Sequence, residues 1–491
     1  MPHPLSKSLK VAVIGILVIA VVTAVIAAAV HFTRGETLPE PEIALELPAQ
    51  ISRPDPLEYE PGRTDEYERA AAFGLSHVLF EKSPGGVFSA ARRTAGFRDL
   101  IDRAVSGTGI DADTVEAIAF LESAGREDVI AGDDPENASG LTQILAETAT
   151  SFLGMPVDLE TSRRLTNRLN DAIRRGDKAE ADRLRSERRG VDARFDPEQA
   201  LAGTVRYLTE ANKVFGREDL AVVSYHMGIG NLASVVRAYT GRQDDNVDTV
   251  VRDGGIDYAR LYFDSSPTVH RAAWERLASF GDDSQTYYWR VLAAVGVMHL
   301  FRSDPARLEG LAKLHDDQPS AELVLHPPSA RDRFVDTGQL EAAVAHGVLV
   351  PIRAGSGAHF ALDPQLERTV ARRGENPDTY VALRPRAARL LAYLTRKVYD
   401  LSGEQRPLAV TRATYDEGNA ATLTPPDPGA AAHAGVHATG FAFDIRRRYG
   451  SGAQAEAFQW TLERLDALGL VAWTRGRSVI HLVVSPRADV S

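Results

Sequence analysis

The hydrophobic pattern changes character three times along the chain. Residues 11–30 (VAVIGILVIAVVTAVIAAAV) are apolar without a charge. At ~1.5 Å of rise per residue, such a helix reaches about the ~30 Å thickness of a bilayer's hydrocarbon core. Lys7 and Lys10 precede the run, and Arg34, Glu36, Glu40, Glu42 and Glu46 follow it. The positive-inside rule then gives a cytoplasmic tail over 1–10 and a single transmembrane anchor over 11–31, with the rest of the chain outside. Cleavage as a signal peptide at Ala27-Ala28-Ala29 is the alternative. The run is longer than a usual signal-peptide core, which favours an uncleaved anchor.

Residues 32–65 are rich in Pro and Glu and read as an extended, poorly ordered linker, its spacer character running from 35 to 62. Helical periodicity then dominates. It predicts helices over 67–80, 89–104, 113–123, 140–153, 198–215 and 287–301, with a polar loop over 125–139. Asp111 or Asp113 is the natural N-cap of the third. Residues 158–194 carry dense alternating charge, with Leu165, Leu169 and Ile173 at helical spacing and a turn at Gly176-Asp177. They read as an exposed helical hairpin with a salt-laced surface. Almost no period-2 pattern occurs up to residue 320, so 66–320 is expected to be one mainly α domain.

After residue 320 the pattern shifts. Short apolar runs at 323–325, 348–350 and 360–362 mark a mixed connecting region over 321–375. A helix is expected over 378–401, with Leu383, Leu390, Leu391 and Leu394 on one face. Strands at 408–411, 442–445 and 479–484 and a helix at 455–468 make 376–487 a smaller α+β domain.

Composition adds exclusions. With 491 residues the chain needs more than one core. A net charge of −11 argues against nucleic acid as a partner, although an acidic protein can still bind an uncharged glycan. The absence of cysteine removes disulfides, thiolate catalysis and cysteine metal sites.

The chemistry centres on VEAIAFLES, residues 115–123. Val115, Ile118 and Ala119 form an apolar stripe whose next position is Glu122. Desolvation there raises a carboxyl pKa toward what a general acid needs near neutrality. A buried ion pair is the bland alternative. Two later motifs shift the balance: Gly140-Leu141-Thr142-Gln143-Ile144, and Ser224-Tyr225-His226-Met227-Gly228-Ile229-Gly230-Asn231. With Glu122-Ser123 upstream, this order resembles the soluble lytic transglycosylases, whose fold is that of goose-type lysozyme. That family reads Glu-Ser, then Gly-Leu-Met-Gln, then Ala-Tyr-Asn-Ala-Gly.

The resemblance spans roughly residues 66–300. It implies a lysozyme-like domain that cleaves the MurNAc–GlcNAc β-1,4 bond of peptidoglycan with formation of 1,6-anhydroMurNAc, without a cofactor. Glu122 would be the single general acid and base. The resemblance also implies substrate contacts at Ser123, Gln143, Tyr225, His226, Gly228 and Tyr287. Ser123 is placed to hydrogen-bond the acid, and Tyr225 matches the tyrosine that orients it. The hairpin 158–194 is an insertion relative to the family pattern. Thr142 stands for the family's Met, and His226-Met227 for Asn-Ala. A second catalytic carboxylate among Glu127, Asp128, Asp133 and Asp134, giving hydrolysis, is the chemical alternative.

A second constellation is His437-Ala438-Thr439-Gly440-Phe441-Ala442-Phe443-Asp444, with His481 on a later strand. Two imidazoles and a carboxylate suit Zn²⁺ with one open position. The spacing over about 376–486 resembles the D-alanyl-D-alanine carboxypeptidase family of zinc peptidases. In that pattern Ser478 occupies the place of the glutamate base, Gly435 that of a serine, and Tyr415 roughly that of an arginine near Arg412. The resemblance implies a peptidase-like fold that binds stem peptide without hydrolysing it. Three readings of the trio stay open: a Zn²⁺ site, a half-buried histidine beside a strand acid, and a working peptidase whose base has moved to Glu463 or Asp466.

The whole is thus expected to be a single-pass protein of the bacterial cytoplasmic membrane with its bulk extracytoplasmic. Its partners would be glycan strands, stem peptides and cell-wall or division proteins. A non-catalytic peptidoglycan-binding scaffold is the competing class.

Overall fold

A computed structural model describes residues 55–490, except 244, 282, 318–323, 326–332, 356, 367, 369–375, 420–434 and 489. The expected cytoplasmic tail, the anchor over 11–31 and the linker up to 54 lie outside the described residues. Among the described residues no helix is long and apolar enough to cross a membrane.

The first lobe is all helix. It comprises α1 (Thr64–Gly74), α2 (His77–Lys82), α3 (Val87–Ala95), α4 (Arg98–Val105), α5 (Ala112–Ser123), α6 (Leu159–Arg175), α7 (Lys178–Val191), α8 (Pro197–Phe215), α9 (Glu218–Met227), α10 (Ile229–Thr240), α11 (Val247–Gly254), α12 (Tyr258–Phe263), α13 (Arg271–Ser279), α14 (Tyr287–Ser303) and α15 (Pro305–Asp317). Helix α5 is its axis. Val115, Ala117, Ile118, Ala119 and Phe120 are all buried, so the helix is enclosed on nearly every side. It packs most extensively on α14 and also on α3, α4 and α8. Asp111 caps α5 by accepting from the Thr114 N–H, as the sequence predicts. At its other end Ala124 and Gly125 take left-handed conformations (φ 54° and 71°) and turn the chain out of the helix.

The second lobe contains α16 (Thr337–Ala345), β1 (Val350–Pro351), β2 (Phe360–Leu362), α17 (Pro377–Tyr380), β3 (Ala382–Leu383), α18 (Pro385–Ser402), β4 (Leu408–Arg412), β5 (Ala442–Arg446), α19 (Gly452–Ala467), β6 (Val471–Arg475) and β7 (Val479–Val484). Five strands form a mixed sheet in the order β2-β4-β5-β7-β6, parallel only between β2 and β4. Helices α18 and α19 pack together beside it. The expected mainly helical first part and smaller α+β last part are both observed.

The lobes meet through α19. Trp460 Nε1 donates to the Ser265 carbonyl at 2.7 Å, and Arg464 Nε to that of Tyr262 at 3.0 Å. The Arg464 guanidinium lies 3.5 Å over the Tyr262 ring and is fully buried. Glu463 and Asp466 lie beside Tyr262 at this junction, and neither joins the His437 trio.

Several boundaries differ from the periodicity. The expected helix 67–80 is two helices, interrupted where the Ser76 hydroxyl turns back to the Phe73 carbonyl. The expected helix 89–104 breaks at Gly96-Phe97, between α3 and α4. Residues 140–145 are not helical: Ser139 and Ile144 bridge across a tight turn, and only a short helical stretch follows, entered at 146–147 and continuing as a π-helical turn, Thr148–Phe152. The expected helix 378–401 is α17, β3 and α18, because Pro385 cannot sit inside a helix and begins one instead. Strand β6 was not predicted. The linker also ends earlier than its composition suggests. Asp55 accepts from Tyr393 (2.5 Å) and Lys397 (2.6 Å) on α18, and Leu57 is buried.

Gly74 fixes how closely α1 approaches the end of α19. A Cβ there would lie 2.4 Å from the Asp466 carbonyl oxygen and 2.6 Å from that of Ala467. Gly74→Ala is therefore expected to destabilise the lobe contact by about 1–3 kcal/mol, the usual cost of overpacking. Differential scanning calorimetry of the full chain would show a lowered transition. An unchanged thermogram would mean that this contact does not couple the lobes.

Candidate active site

Glu122 is the penultimate residue of α5, where the carbonyl dipoles already disfavour negative charge. It is half-buried and lines a cleft of about 210 Å³ whose wall is formed by α2, the Ser83-Pro84 turn and the end of α5. Burial pushes its carboxyl pKa up to about 7; a hydrogen bond from Tyr287 and the charge of Arg290 act in the opposite sense. The Tyr287 hydroxyl donates to Glu122 Oε1 at 2.7 Å. Tyr287 and Arg290 stand one turn apart at the start of α14, so the helix that packs most extensively on α5 delivers both. Arg290 is held in turn by Asp283, at 2.8 Å to both its carboxylate and its carbonyl.

The same helix carries the contrasting case. Glu116 is fully buried, and its carboxylate accepts from Arg98 at 3.1 Å and from Arg302. That is the structural ion pair that was the bland reading for Glu122. Glu122 makes no ion pair among the described residues.

Of the other expected residues, Tyr225 and, through Tyr287, His226 stand near the acid, and each has an altered task. Ser123 is buried; its hydroxyl donates to the Ala119 carbonyl and accepts from the Arg126 N–H, not from or to the carboxylate. Tyr225 donates to the Thr142 carbonyl at 2.8 Å and meets the Thr204 hydroxyl at 3.2 Å. Burial first, then Glu122, raises its pKa, so it stays neutral beside the acid. The hydrogen bond that sequence assigned to Tyr225 is made by Tyr287. Gln143 holds a left-handed backbone (φ 51°), and its side-chain amide donates to the carbonyls of Val129 (3.0 Å) and Gly140 (2.8 Å). It braces the turn. His226 is exposed, stacks on Tyr287 with ring centroids 5.0 Å apart, and shares a 2.9 Å hydrogen bond with Ser284. Gly228 has φ 89° at the junction of α9 and α10, a conformation that favours glycine. Thr142, in the family's Met position, is buried and accepts from Thr204 at 2.9 Å.

The charged hairpin is not merely a solvated surface. Its helices pair around Leu165, Leu169, Ala172, Ala181 and Leu184, with Gly176 in the left-handed turn as expected. Its arginines reach back to the loop after Glu122. Arg189 pairs with Glu127, Arg185 and Arg188 with Asp128 (2.6 and 3.0 Å), and Arg163 with Asp134 (2.7 Å). Three of the four acids considered as a second catalytic carboxylate are thereby engaged elsewhere. Beyond the hairpin, Arg194, also expected on a salt-laced surface, is fully buried. It donates to the carbonyls of Pro135, Asn137 and Ile144 and pairs with buried Asp192. These contacts straddle the Gly140 turn, where a Cβ would lie 1.8 Å from the Arg194 carbonyl oxygen.

In the second lobe the register of three strands brings the other trio together. Asp444 on β5 lies opposite His481 on β7 and Arg412 on β4. Its Oδ1 is 2.7 Å from His481 Nδ1 and 3.2 Å from His437 Nε2, and its Oδ2 is 3.3 Å from Arg412. All three trio residues are buried. Burial alone would raise the Asp444 carboxyl, but the two imidazoles hold it well below the usual range. His437 Nδ1 lies 2.7 Å from the Ala413 carbonyl and must donate to it. In the neutral ring, Nε2 then turns a lone pair toward Asp444 Oδ1, a confrontation that a cation between them would relieve. The donor set therefore fits a metal, with Arg412 as a competing positive charge. Ser478 is exposed in the β6–β7 turn.

Sequence reasoning did not find Arg290, Arg194 or Arg188. For Arg290 a signal existed: it follows Tyr287 by one helical turn.

The family model described as Transglycosylase SLT domain matches residues 176–247. The matched stretch runs from the hairpin turn through α10 and contains Tyr225, His226 and Gly228; Glu122 and Gln143 precede it. No curated protein matches the chain. The chain thus carries a transglycosylase SLT domain, which indicates a lytic transglycosylase acting on peptidoglycan.

A carboxyl that keeps its proton in the fold but loses it in the unfolded chain costs stability as pH rises. For Glu122 the folded value (about 7) exceeds the ordinary one (4.5), so the cost is absent below about 4.5 and complete above about 7. Glu122→Gln is expected to be more stable than the parent at pH 8, by of order 1–2 kcal/mol after discounting for partial exposure. The difference should vanish near pH 4, and denaturant titration at the two pH values would read it.

Proposed function

We propose that the helical lobe cleaves the MurNAc–GlcNAc β-1,4 bond of peptidoglycan by lytic transglycosylation, with Glu122 as sole general acid and base. The observation that carries this reading is a carboxyl with a pKa of about 7 in an open cleft, bonded to a tyrosine and not to a cation. The matched SLT stretch beside it supports the substrate. Protonated Glu122 donates to the glycosidic oxygen as the C1–O bond breaks. The muramoyl 2-acetamido group stabilises C1. The 6-hydroxyl then closes on C1 and returns its proton to Glu122, leaving the 1,6-anhydro ring. Tyr287 positions the carboxylate, and Gln143 and Tyr225 keep the opposite loop in place.

In this reading the segment 11–31 anchors the protein in the cytoplasmic membrane and leaves both lobes outside, against the wall. The second lobe holds stem peptide, with Zn²⁺ bound by His437, Asp444 and His481. Zn²⁺ there would polarise a peptide carbonyl. With Ser478 in place of a base, the lobe binds peptide without hydrolysing it.

Mass spectrometry of sacculi digested with the full chain in detergent tests the first lobe. Products with 1,6-anhydroMurNAc ends are expected, and Glu122→Gln should lower their release by at least about a thousandfold. Reducing ends would mean hydrolysis, and intact sacculi with bound protein would mean a scaffold. Activity should fall as pH rises above about 7, and Tyr287→Phe should move that limb upward, since the tyrosine lowers the pKa.

For the second lobe, elemental analysis of the purified protein should find one zinc, absent in His437→Ala and His481→Ala. Zinc-free protein that takes up none in titration calorimetry would remove the metal from the proposal.

A further inference from the structure

Resting on the glycan-cleaving reading, we infer that the Glu122 cleft binds a carboxylate carried on the muramoyl side arm. The charge distribution around the cleft points to this. The protein carries a net charge of −11, yet the cleft is rimmed by cations. Lys82, Arg126 and Arg290 line it together with Glu122, and Arg93 stands directly behind. Arg93 donates to the carbonyls of Ala124 (2.9 Å) and Pro84 (2.8 Å), both cleft residues.

Arg126 Nε donates to the Ser123 carbonyl at 2.9 Å, which fixes the guanidinium at the end of α5. Among the described residues Lys82, Arg93 and Arg126 make no ion pair. Arg93 and Arg126 are close enough to repel: burial first, then the Arg126 charge, lowers the Arg93 pKa. Elsewhere around the site every arginine that reaches the loop meets an acid, as in the hairpin pairs with Glu127, Asp128 and Asp134. Uncompensated like charges at one cleft, in an acidic protein that pairs its arginines next door, are a binding arrangement for an anion.

The chemistry of the proposed substrate supplies that anion. The muramoyl lactyl group ends in a carboxylate when free and carries the carboxylates of the peptide when substituted. The uncharged lining, including Val78, Leu79 and Pro84, offers the arm's methyl groups an apolar wall. One charged group at the rim, next to the proton donor, would also register the glycan, so that a muramoyl and not a glucosaminyl residue presents its C1 to Glu122.

The test is binding by the full chain with Glu122→Gln, which separates recognition from cleavage. Three probes are compared by titration calorimetry: glycan tetrasaccharides with peptide, the same with free lactyl carboxylates, and the same with those carboxyls reduced to alcohols. The reduced probe should bind about tenfold more weakly than whichever carboxylated probe binds best, with the gap narrowing in high salt. Lys82→Gln with Arg126→Gln should collapse the gap while the melting temperature stays unchanged, since both side chains are exposed. The stronger of the two carboxylated probes identifies the source of the anion. Equal binding of all three probes would overturn this inference and leave the glycan reading standing. Failure of every probe to bind would remove both.

Discussion

The hydrogen bond from Tyr287 to Glu122 is the contact on which the first lobe's chemistry depends. It joins the end of α5 to the start of α14, the helix that packs most extensively on α5. Burial pushes the acid toward neutrality, and the tyrosine and Arg290 restrain the rise. A cation bonded directly to the carboxylate would abolish the proton-donating form near pH 7. A fully apolar pocket would abolish the form that takes the proton back. The arrangement stands between these limits: a neutral donor touches the carboxylate, while the nearest arginine is occupied by Asp283.

Glu116 shows the other limit within one helix. It is the more deeply buried carboxylate, and two arginines hold it. Its task is to tie α4 and α14 to α5 at the end remote from the cleft. The two residues together explain why α5 tolerates acids inside a hydrophobic core. One acid is neutralised by partners and the other by keeping its proton, and the two solutions leave different chemistry available.

This pair also marks how far the sequence could be read. The apolar spacing around Glu122 was legible, but it did not distinguish the acid, because α5 is enclosed almost all round and Glu116 shares its burial. The motif order carried the assignment, through Gln143, Tyr225 and Gly228. The partition of roles among them was not legible. Tyr225 and Tyr287 are equivalent as letters, and only packing puts Tyr287 on the acid and Tyr225 on the Thr142 carbonyl. Helix interruptions at Ser76 and Gly96 were missed because an apolar stripe can continue across a break. Strands β4, β5 and β7 of the second lobe were legible as short apolar runs, whereas β6 was not. The row Arg412–Asp444–His481 was not, since register is set by the whole sheet.

The charged hairpin teaches the opposite lesson. Alternating charge usually means solvent, and for much of α6 and α7 it does. Yet Arg188 is buried within it, and Arg194 and Asp192 are buried at its foot. Arginine permits this because its planar fork satisfies several acceptors at once. Arg194 serves three backbone carbonyls and one carboxylate, on both sides of the Gly140 turn. The loop after Glu122 has no hydrophobic core of its own to fix it, so its polar backbone must be held by donors from outside. Arg194 provides them, and the hairpin arginines take up Glu127, Asp128 and Asp134 of that loop. The cleft on the other side of Glu122 is left with Lys82 and Arg126, which make no ion pair among the described residues, beside Arg290, which Asp283 holds. The same ionic pairing that rigidifies one wall of the site thus sets the charge of the other.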